Sequence, residues 1–418
     1  MKLQFLALAV CSLWLLFVHP VQAQQTERVP ALREKVYGQL ARAQEQADNG
    51  NLEQGLSILG EVAEKADSMN SYERAMMWNF YGFMYYEQGN TKQAINHFEK
   101  VVNETPIPES LQKSTLYSLA QLALSDGQFQ RAIGFLGQWE GLAKENEMSK
   151  AWVLKAQAYY QADKHQEALP LIDKAIAAAD SKNKTPDENW LILKRALHYE
   201  LEQPKQVAKV MERLVADYSK PEYWLQLAGV YAQLEQDDKQ LAVLEAARQQ
   251  GFIEKGSEWK QLAQAYYFNE LPYKAAETIH QAMSDGQVEK SVDNLKFMAQ
   301  AYTQAKEYEL AIEAYNELSG KVEHGNFALQ VAQLHLTLNN NEKALESAES
   351  ALSKGNLDNE GNLYLIKGMA SLNLKRYEQA TSHFEQALGY QATEQSAQQW
   401  LKYAKSQLKQ QQQLAKLK

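Results

Sequence analysis

A single cysteine, Cys11, occurs among 418 residues, which excludes an intramolecular disulfide, a thiolate zinc site and a cysteine-ligated iron–sulfur cluster. Only 20 Gly and 9 Pro are present, too few for an architecture built from many tight turns. Positive charge is also scarce: Lys and Arg number 43 against 52 Asp and Glu, a formal net charge of −9. Nucleic-acid binders take most of their affinity from Lys and Arg neutralising phosphates, so a polyanionic partner is excluded as the main ligand. No glycine-rich phosphate loop ending in Lys-Ser/Thr, no His-Glu-x-x-His and no Gly-x-Ser-x-Gly elbow is found, which leaves no catalytic signature to build on. What is present is apolar and helix-forming. The hydrophobic share of 45% is too high for a disordered chain, and Ala, Leu, Gln, Glu and Lys crowd the sequence.

The chain opens with an address. Lys2 is followed by a mostly apolar run over 3–18, then Pro20 and the small-residue site Val21-Gln22-Ala23. This is the three-part layout of a secretory signal peptide, with cleavage expected after Ala23. The apolar run is shorter than the roughly 20 residues needed to span a bilayer. Val10 stands before Cys11 where a lipoprotein needs a small residue, so Cys11 reads as part of the apolar segment. Cleavage removes the cysteine and only one charged residue, Lys2. A Lys-bearing leader and a cysteine-free mature chain fit a bacterial periplasm.

The mature chain repeats one pattern. Trp78-x-x-Tyr81-Gly82-x-x-Tyr85, followed by Ala94, Phe98 and Val101, recurs as Trp259-x-x-Leu262-Ala263-x-x-Tyr266, followed by Ala275, Ile279 and Ala282. It returns as Leu295, Met298, Ala299, Tyr302, Ala311, Tyr315 and Leu318, and in half as Trp224, Leu227, Ala228 and Tyr231. The small residue of the second segment is Ala94, Ala132, Ala168, Ala275, Ala311, Ala344 or Ala380, with Gly55 and Val207 in weaker copies and one copy unclear around Gln240 and Leu241. Large residues at i, i+3 and i+7 form one face of a first helix, and the small residue at i+4 lets a neighbouring helix approach. Two such short helices cannot bury their faces alone, so about ten units must stack.

The spacing resembles the tetratricopeptide repeat over almost all of the mature chain. That resemblance implies an all-α, right-handed superhelical solenoid of helix-turn-helix repeats with a C-terminal capping helix. The expected organisation is a signal peptide at 1–23, an N-terminal array at 24–189, a degenerate repeat and possible hinge at 190–220, a C-terminal array at 221–390 and a capping helix with a frayed tail at 391–418. The 190–220 unit has a turn at Gln203-Pro204-Lys205 that looks shortened, and Lys194 or Arg195 falls near its small position; the polar loop 180–187 precedes it. Pro170 lies inside an expected second helix, where it should kink that helix.

No catalytic residue, cofactor or metal site is expected, and the chain is read as a non-enzyme. The histidines fall singly along the repeats, His97, His280 and His383 in second helices, with no ligand spacing. In tetratricopeptide arrays the first helices line a concave groove. The residue after the small position then points into it, which gives Phe83, Gln121, Gln157, Gly229, Gln264, Gln300, Gln333 and Met369. Glutamine recurs there, able to donate and accept toward an extended peptide backbone. Tyr86, Tyr160 and Tyr267 stand one turn further on, with Phe268 beside the last, and suit an interface. Lys260 and Lys296 occupy a place used by the family's carboxylate clamp, but the matching Asn residues are missing. The partner-binding groove is therefore expected at Phe83, Tyr86, Gln121, Gln157, Tyr160, Lys260, Gln264, Tyr267, Lys296, Gln300 and Gln333.

The leader ending at Ala23, the segment Val29-Pro30-Ala31-Leu32-Arg33, the unit Met77-Trp78-Asn79-Phe80-Tyr81-Gly82 and the Gln-rich end together resemble the signal-bearing tetratricopeptide proteins that accompany TonB systems in marine gammaproteobacteria. That resemblance implies a periplasmic scaffold without a membrane span after cleavage, its partners proteins of a TonB–ExbB–ExbD energy-transduction complex serving outer-membrane uptake of iron chelates. An adaptor in cell-wall, pilus or exopolysaccharide assembly is the alternative.

Overall fold

The structure is a computed structural model, and it describes residues 28–416. The expected signal peptide at 1–23 lies outside the described residues. Two compact units divide the chain between Pro186 and Asp187, so the degenerate 190–220 repeat lies wholly within the second. The first unit holds α1 (Glu34–Asp48), α2 (Leu52–Ala63), α3 (Ser71–Glu87), α4 (Thr91–Asn103), α5 (Glu109–Ser125), α6 (Phe129–Glu140), α7 (Met148–Gln161) and α8 (His165–Asp180). The second holds α9 (Glu188–Glu200), α10 (Pro204–Tyr218), α11 (Pro221–Gln233), α12 (Asp237–Gln249), α13 (Gly256–Phe268), α14 (Pro272–Ser284), α15 (Val292–Gln304), α16 (Tyr308–Gly320), α17 (Asn326–Thr337), α18 (Asn341–Lys354), α19 (Glu360–Asn373), α20 (Tyr377–Ala387) and α21 (Glu394–Lys416). No strand occurs among the described residues. Within each unit helix hairpins stack in chain order, a solenoid of helix-turn-helix repeats.

One turn makes every hairpin. Three residues separate the paired helices in all ten pairs among the described residues. The middle residue is left-handed each time: Gly50, Gly89 and Gly127 first, then Asp163, Glu202, Glu235, Glu270, Lys306, Asn339 and Lys375, with φ between 54° and 83°. The third turn residue donates its N–H to a carbonyl five residues back, as Asn90 does to Tyr85 at 2.8 Å and Gln236 to Tyr231 at 2.9 Å. These bonds satisfy carbonyls that the helix end leaves open and fix the exit direction of the chain. The expectation of a shortened turn at 203–205 is corrected here: Leu201-Glu202-Gln203 is the same three-residue turn, and Pro204 begins α10, where a missing N–H costs nothing.

The turn also sets which residues meet. The fourth residue of every second helix is the close-packing one: Gly55, Ala94, Ala132, Ala168, Val207, Gln240, Ala275, Ala311, Ala344 and Ala380. All are buried, and the unclear sixth copy resolves to Gln240, 8% exposed. On the first helices, five residues before the end, stand Ala43, Gly82, Ala120, Ala156, Arg195, Ala228, Ala263, Ala299, Ala332 and Gly368. A Cβ at Gly82 would lie 2.6 Å from the Phe98 ring, and one at Gly368 2.5 Å from the Phe384 ring. Arg195 breaks the small-residue rule, and its guanidinium lies 4.0 Å from Met211 Sδ and donates to Gln226 of α11.

In the second unit one apolar core runs from Ala228 to Leu334. Three tyrosines tie successive hairpins across it. Tyr231 donates to Glu212 at 2.5 Å, Tyr266 to Glu245 at 2.7 Å and Tyr302 to Glu277 at 2.6 Å, each reaching the second helix of the preceding hairpin. Burial, then the carboxylate acceptor, pushes the Tyr231 and Tyr266 hydroxyls up to about 12 and the Tyr302 hydroxyl higher still. Helix α8 runs unbroken through Pro170 in its second turn. At the C-terminal end α21 seats Ala397 and Ala404 and stacks Trp400 on Phe384 with centroids 6.4 Å apart. The Gln410–Gln413 stretch expected to fray continues the helix to Lys416, consistent with the good helix propensity of Gln and Lys.

Candidate functional site

The expected groove residues all stand on first helices. Phe83 and Tyr86 belong to α3, Gln121 to α5, and Gln157 and Tyr160 to α7, all in the first unit. Lys260, Gln264 and Tyr267 belong to α13, Lys296 and Gln300 to α15 and Gln333 to α17, in the second. Each unit therefore carries its own set. Gln121, Gln264, Gln300 and Gln333 are exposed and Gln157 half-buried. Among the described residues, none of these five amides has a hydrogen-bond partner. An unengaged amide costs nothing while hydrated, and keeps both a donor and an acceptor for an incoming chain.

In the first unit the structure brings Phe83, Tyr86 and Gln121 together. They line a cavity of about 350 Å³ with Phe98 beneath and Ser118, Leu122 and Ser125 on the far wall. Phe83 meets Phe98 edge-on, centroids 5.1 Å apart, yet stays 46% exposed, and Tyr86 is 56% exposed. Two open rings beside hydroxyls and an amide, with no charged lining residue, suit an apolar side chain carried on a polar backbone. Tyr160 is turned to its own hairpin, its ring 5.4 Å from His165.

In the second unit Lys260 and Gln264 share a cavity of about 400 Å³ with Gln261, Asp293, Asn294 and Phe297. Tyr267 packs against Phe297 of the next repeat at 5.6 Å. Asn294 thus stands beside Lys260, where a clamp would want an amide, but its Nδ2 already donates to the Glu289 carbonyl at 2.8 Å. Lys296 and Gln300 are exposed on α15.

Sequence reading missed two residues at the same places. Gln44 holds the groove position of the first hairpin and donates to Asp48 at 2.6 Å. Tyr199 stands where Tyr86, Tyr160 and Tyr267 do and is 70% exposed, on a cavity of about 520 Å³ with Pro204, Val230 and Gln233. Counting back five residues from each helix end would have found both; Arg195 at the small position hid the second.

Comparison with known proteins agrees with this architecture. Residues 40–107 and 361–394 match tetratricopeptide repeat profiles, and 87–175 match the profile of anaphase-promoting complex, cyclosome, subunit 3. No curated protein matches the sequence significantly. Among solved structures the chain is similar to MamA (residue 41 to end) from Desulfovibrio magneticus RS-1, at 15% identity over 42% of this chain and 94% of that one, TM-score 0.34. It is similar to a tetratricopeptide repeat protein from Parabacteroides merdae, at 14% identity over 62% of this chain and 99% of that one, TM-score 0.31. The tetratricopeptide domain of P58(IPK) aligns at 14% identity over 90% of this chain and 99% of that one, TM-score 0.25.

Proposed function

We propose that this tetratricopeptide-repeat chain is a non-catalytic scaffold that holds extended polypeptide segments against its first-helix faces. One observation carries the reading: glutamines with unengaged amides recur at one structural position, Gln121 and Gln157 in the first unit and Gln264, Gln300 and Gln333 in the second, with a tyrosine one turn beyond Gln157 and Gln264. A main chain laid across the set within either unit gains donors and acceptors without needing a fixed sequence, and the rings anchor its side chains. At a finer level the protein acts in the periplasm as an accessory of a TonB–ExbB–ExbD complex, positioning a periplasmic portion of that complex. The leader ending at Ala23 and the resemblance described above support this.

The test is a pull-down from envelope extracts with wild type and with Gln264→Ala plus Tyr267→Ala. Recovery of TonB-complex proteins, lost in the double variant, is the expected result. Recovery of cell-wall synthases or pilins instead would replace the finer reading with envelope assembly, and equal recovery by both proteins would remove the groove reading.

A further inference from the structure

The ten hairpins provide an internal standard for what their turns look like, and one departs from it. At the last residue of the first helix nine hairpins carry a polar residue, such as Glu87, Gln233 or Gln304; the seventh carries Phe268. At the third turn residue nine carry Asn, Gln, Lys, Glu or Arg; the seventh carries Leu271. At the second residue of the second helix nine carry Glu, Lys, Gln or Asp; the seventh carries Tyr273. These three side chains are 66%, 38% and 47% exposed. Scattered exposed apolar residues need no explanation, but three within one turn, each against a polar rule kept everywhere else, form a patch of the kind that marks an interaction site. Two further rings border it without extending its exposed face: the half-buried Tyr267, its centroid 6.2 Å from Phe268, and the buried Tyr302, 6.5 Å from Tyr273.

Its rim is acidic. The seventh turn is tied to the sixth hairpin by Asn269 Nδ2 donating to the Asp237 carbonyl at 3.0 Å. On this turn and its two neighbours Glu235, Asp237, Asp238, Glu270, Glu307 and Glu309 are exposed, none with an ion-pair partner among the described residues. Of the three nearby lysines, Lys274 is engaged with Glu245 at 3.5 Å and Lys239 lies over the Tyr231 ring at 5.3 Å, leaving Lys306. We infer that the turn edge at Phe268, Leu271 and Tyr273 is a second docking surface, separate from the groove, for a partner polypeptide segment with large apolar anchors flanked by Lys or Arg. A second copy of this chain fits worse, since a two-fold contact would bring two acidic rims together.

A random dodecapeptide display library selected on the full-length protein, and in parallel on a Phe268→Gln, Leu271→Gln, Tyr273→Glu variant, tests this. The substitutions use residue types that other hairpins carry at these places, so circular dichroism should be unchanged. The wild type should enrich peptides with aromatic or aliphatic anchors and flanking Lys or Arg. Binding of a synthesised winner should weaken at least tenfold in the triple variant and with rising salt, and should hold in a Gln264→Ala, Gln300→Ala variant. Winners without basic flanks, equal binding to the triple variant, or loss in the groove variant would overturn the inference. So would concentration-dependent dimerisation in sedimentation that the triple variant abolishes, which would assign the patch to a second copy.

Discussion

The guanidinium of Arg33 grips the buried carboxylate of Glu73 with two parallel hydrogen bonds, Nε to Oε1 and Nη2 to Oε2, each 2.6 Å. The backbone N–H groups of Arg33 and Asn70 each add a bond at 3.0 Å. Asn70 in turn caps α3 by accepting from the Glu73 N–H at 3.0 Å. One carboxylate thus joins the chain entering α1 to the start of the second hairpin, and Arg33, first of all, with the two N–H groups, holds it down at about 2. The folded value lies below the unfolded one, so the stabilisation is present above the ordinary carboxylate pKa of about 4.5 and lost as pH falls from there toward 2. Glu73→Gln should cost about 2 kcal/mol near neutral pH, by the usual worth of charged hydrogen bonds. Hydrogen exchange of α1 and α3 in the full chain should show the difference near neutral pH and its narrowing below pH 4.5.

Two kinds of glycine should respond with opposite sign. At Gly82 the added methyl meets the ring of Phe98, itself 2% exposed, at 2.6 Å, so Gly82→Ala should destabilise by about 1–3 kcal/mol through overpacking. At Gly134 in α6 nothing lies within 4 Å, and Gly134→Ala should stabilise by about 0.5–1 kcal/mol through backbone entropy and helix propensity. Chemical denaturation of the two variants measures both; equal signs would contradict the packing described.

Seven turns hold a left-handed conformation with a residue that has a Cβ, among them Glu202, Glu235 and Glu270. Each carries a steric cost of about 1–2 kcal/mol relative to glycine, partly offset by the entropy glycine loses. Replacing these three with glycine together should raise the Tm of the second unit, read by calorimetry, while Gly89→Ala should lower that of the first.

The tyrosine ties make the second unit sensitive to alkali. The Tyr231 and Tyr266 hydroxyls are raised from 10 to about 12 by burial and then by Glu212 and Glu245. A raised folded value means that the stabilisation is complete below pH 10 and lost as pH climbs toward 12. Tyr231→Phe with Tyr266→Phe should cost about 1 kcal/mol per lost hydrogen bond at neutral pH. The double variant should also show a shallower loss of helical ellipticity between pH 10 and 12.

The repeat was legible because its signal is steric. Ala94, Ala275 and Ala311 are small where helices touch, and Trp78 and Trp259 are large where they fill, a pattern that needs no knowledge of contacts. Where another chemistry took the small position, the reading faltered. Arg195 donates to Gln226 of the next hairpin, and Gln240 is buried at the small position of the copy that was unclear; neither choice follows from periodicity. The recurrence of glutamine after the small position is visible in the sequence, but the grouping of Phe83, Tyr86 and Gln121 around one cavity depends on how successive hairpins are stacked. The Arg33–Glu73 pair lies 40 residues apart, and no local signal announces it.

Identical turns inside the hairpins stand against connections of unequal length between them. Residues 219–220 suffice to link α10 to α11, while 64–70 and 285–291 link their neighbours with much longer loops. Adding one residue to a three-residue turn would break the hydrogen bond to the carbonyl five residues back that sets the phase of the following helix, and would carry its buried alanine out of register. The loops between hairpins impose no such phase. Insertions, tags and reporter groups therefore belong in the connections between hairpins rather than in the hairpin turns, clear of capping residues such as Asn70 and Ser291, where the chain changes length from one repeat to the next without altering what its helices present.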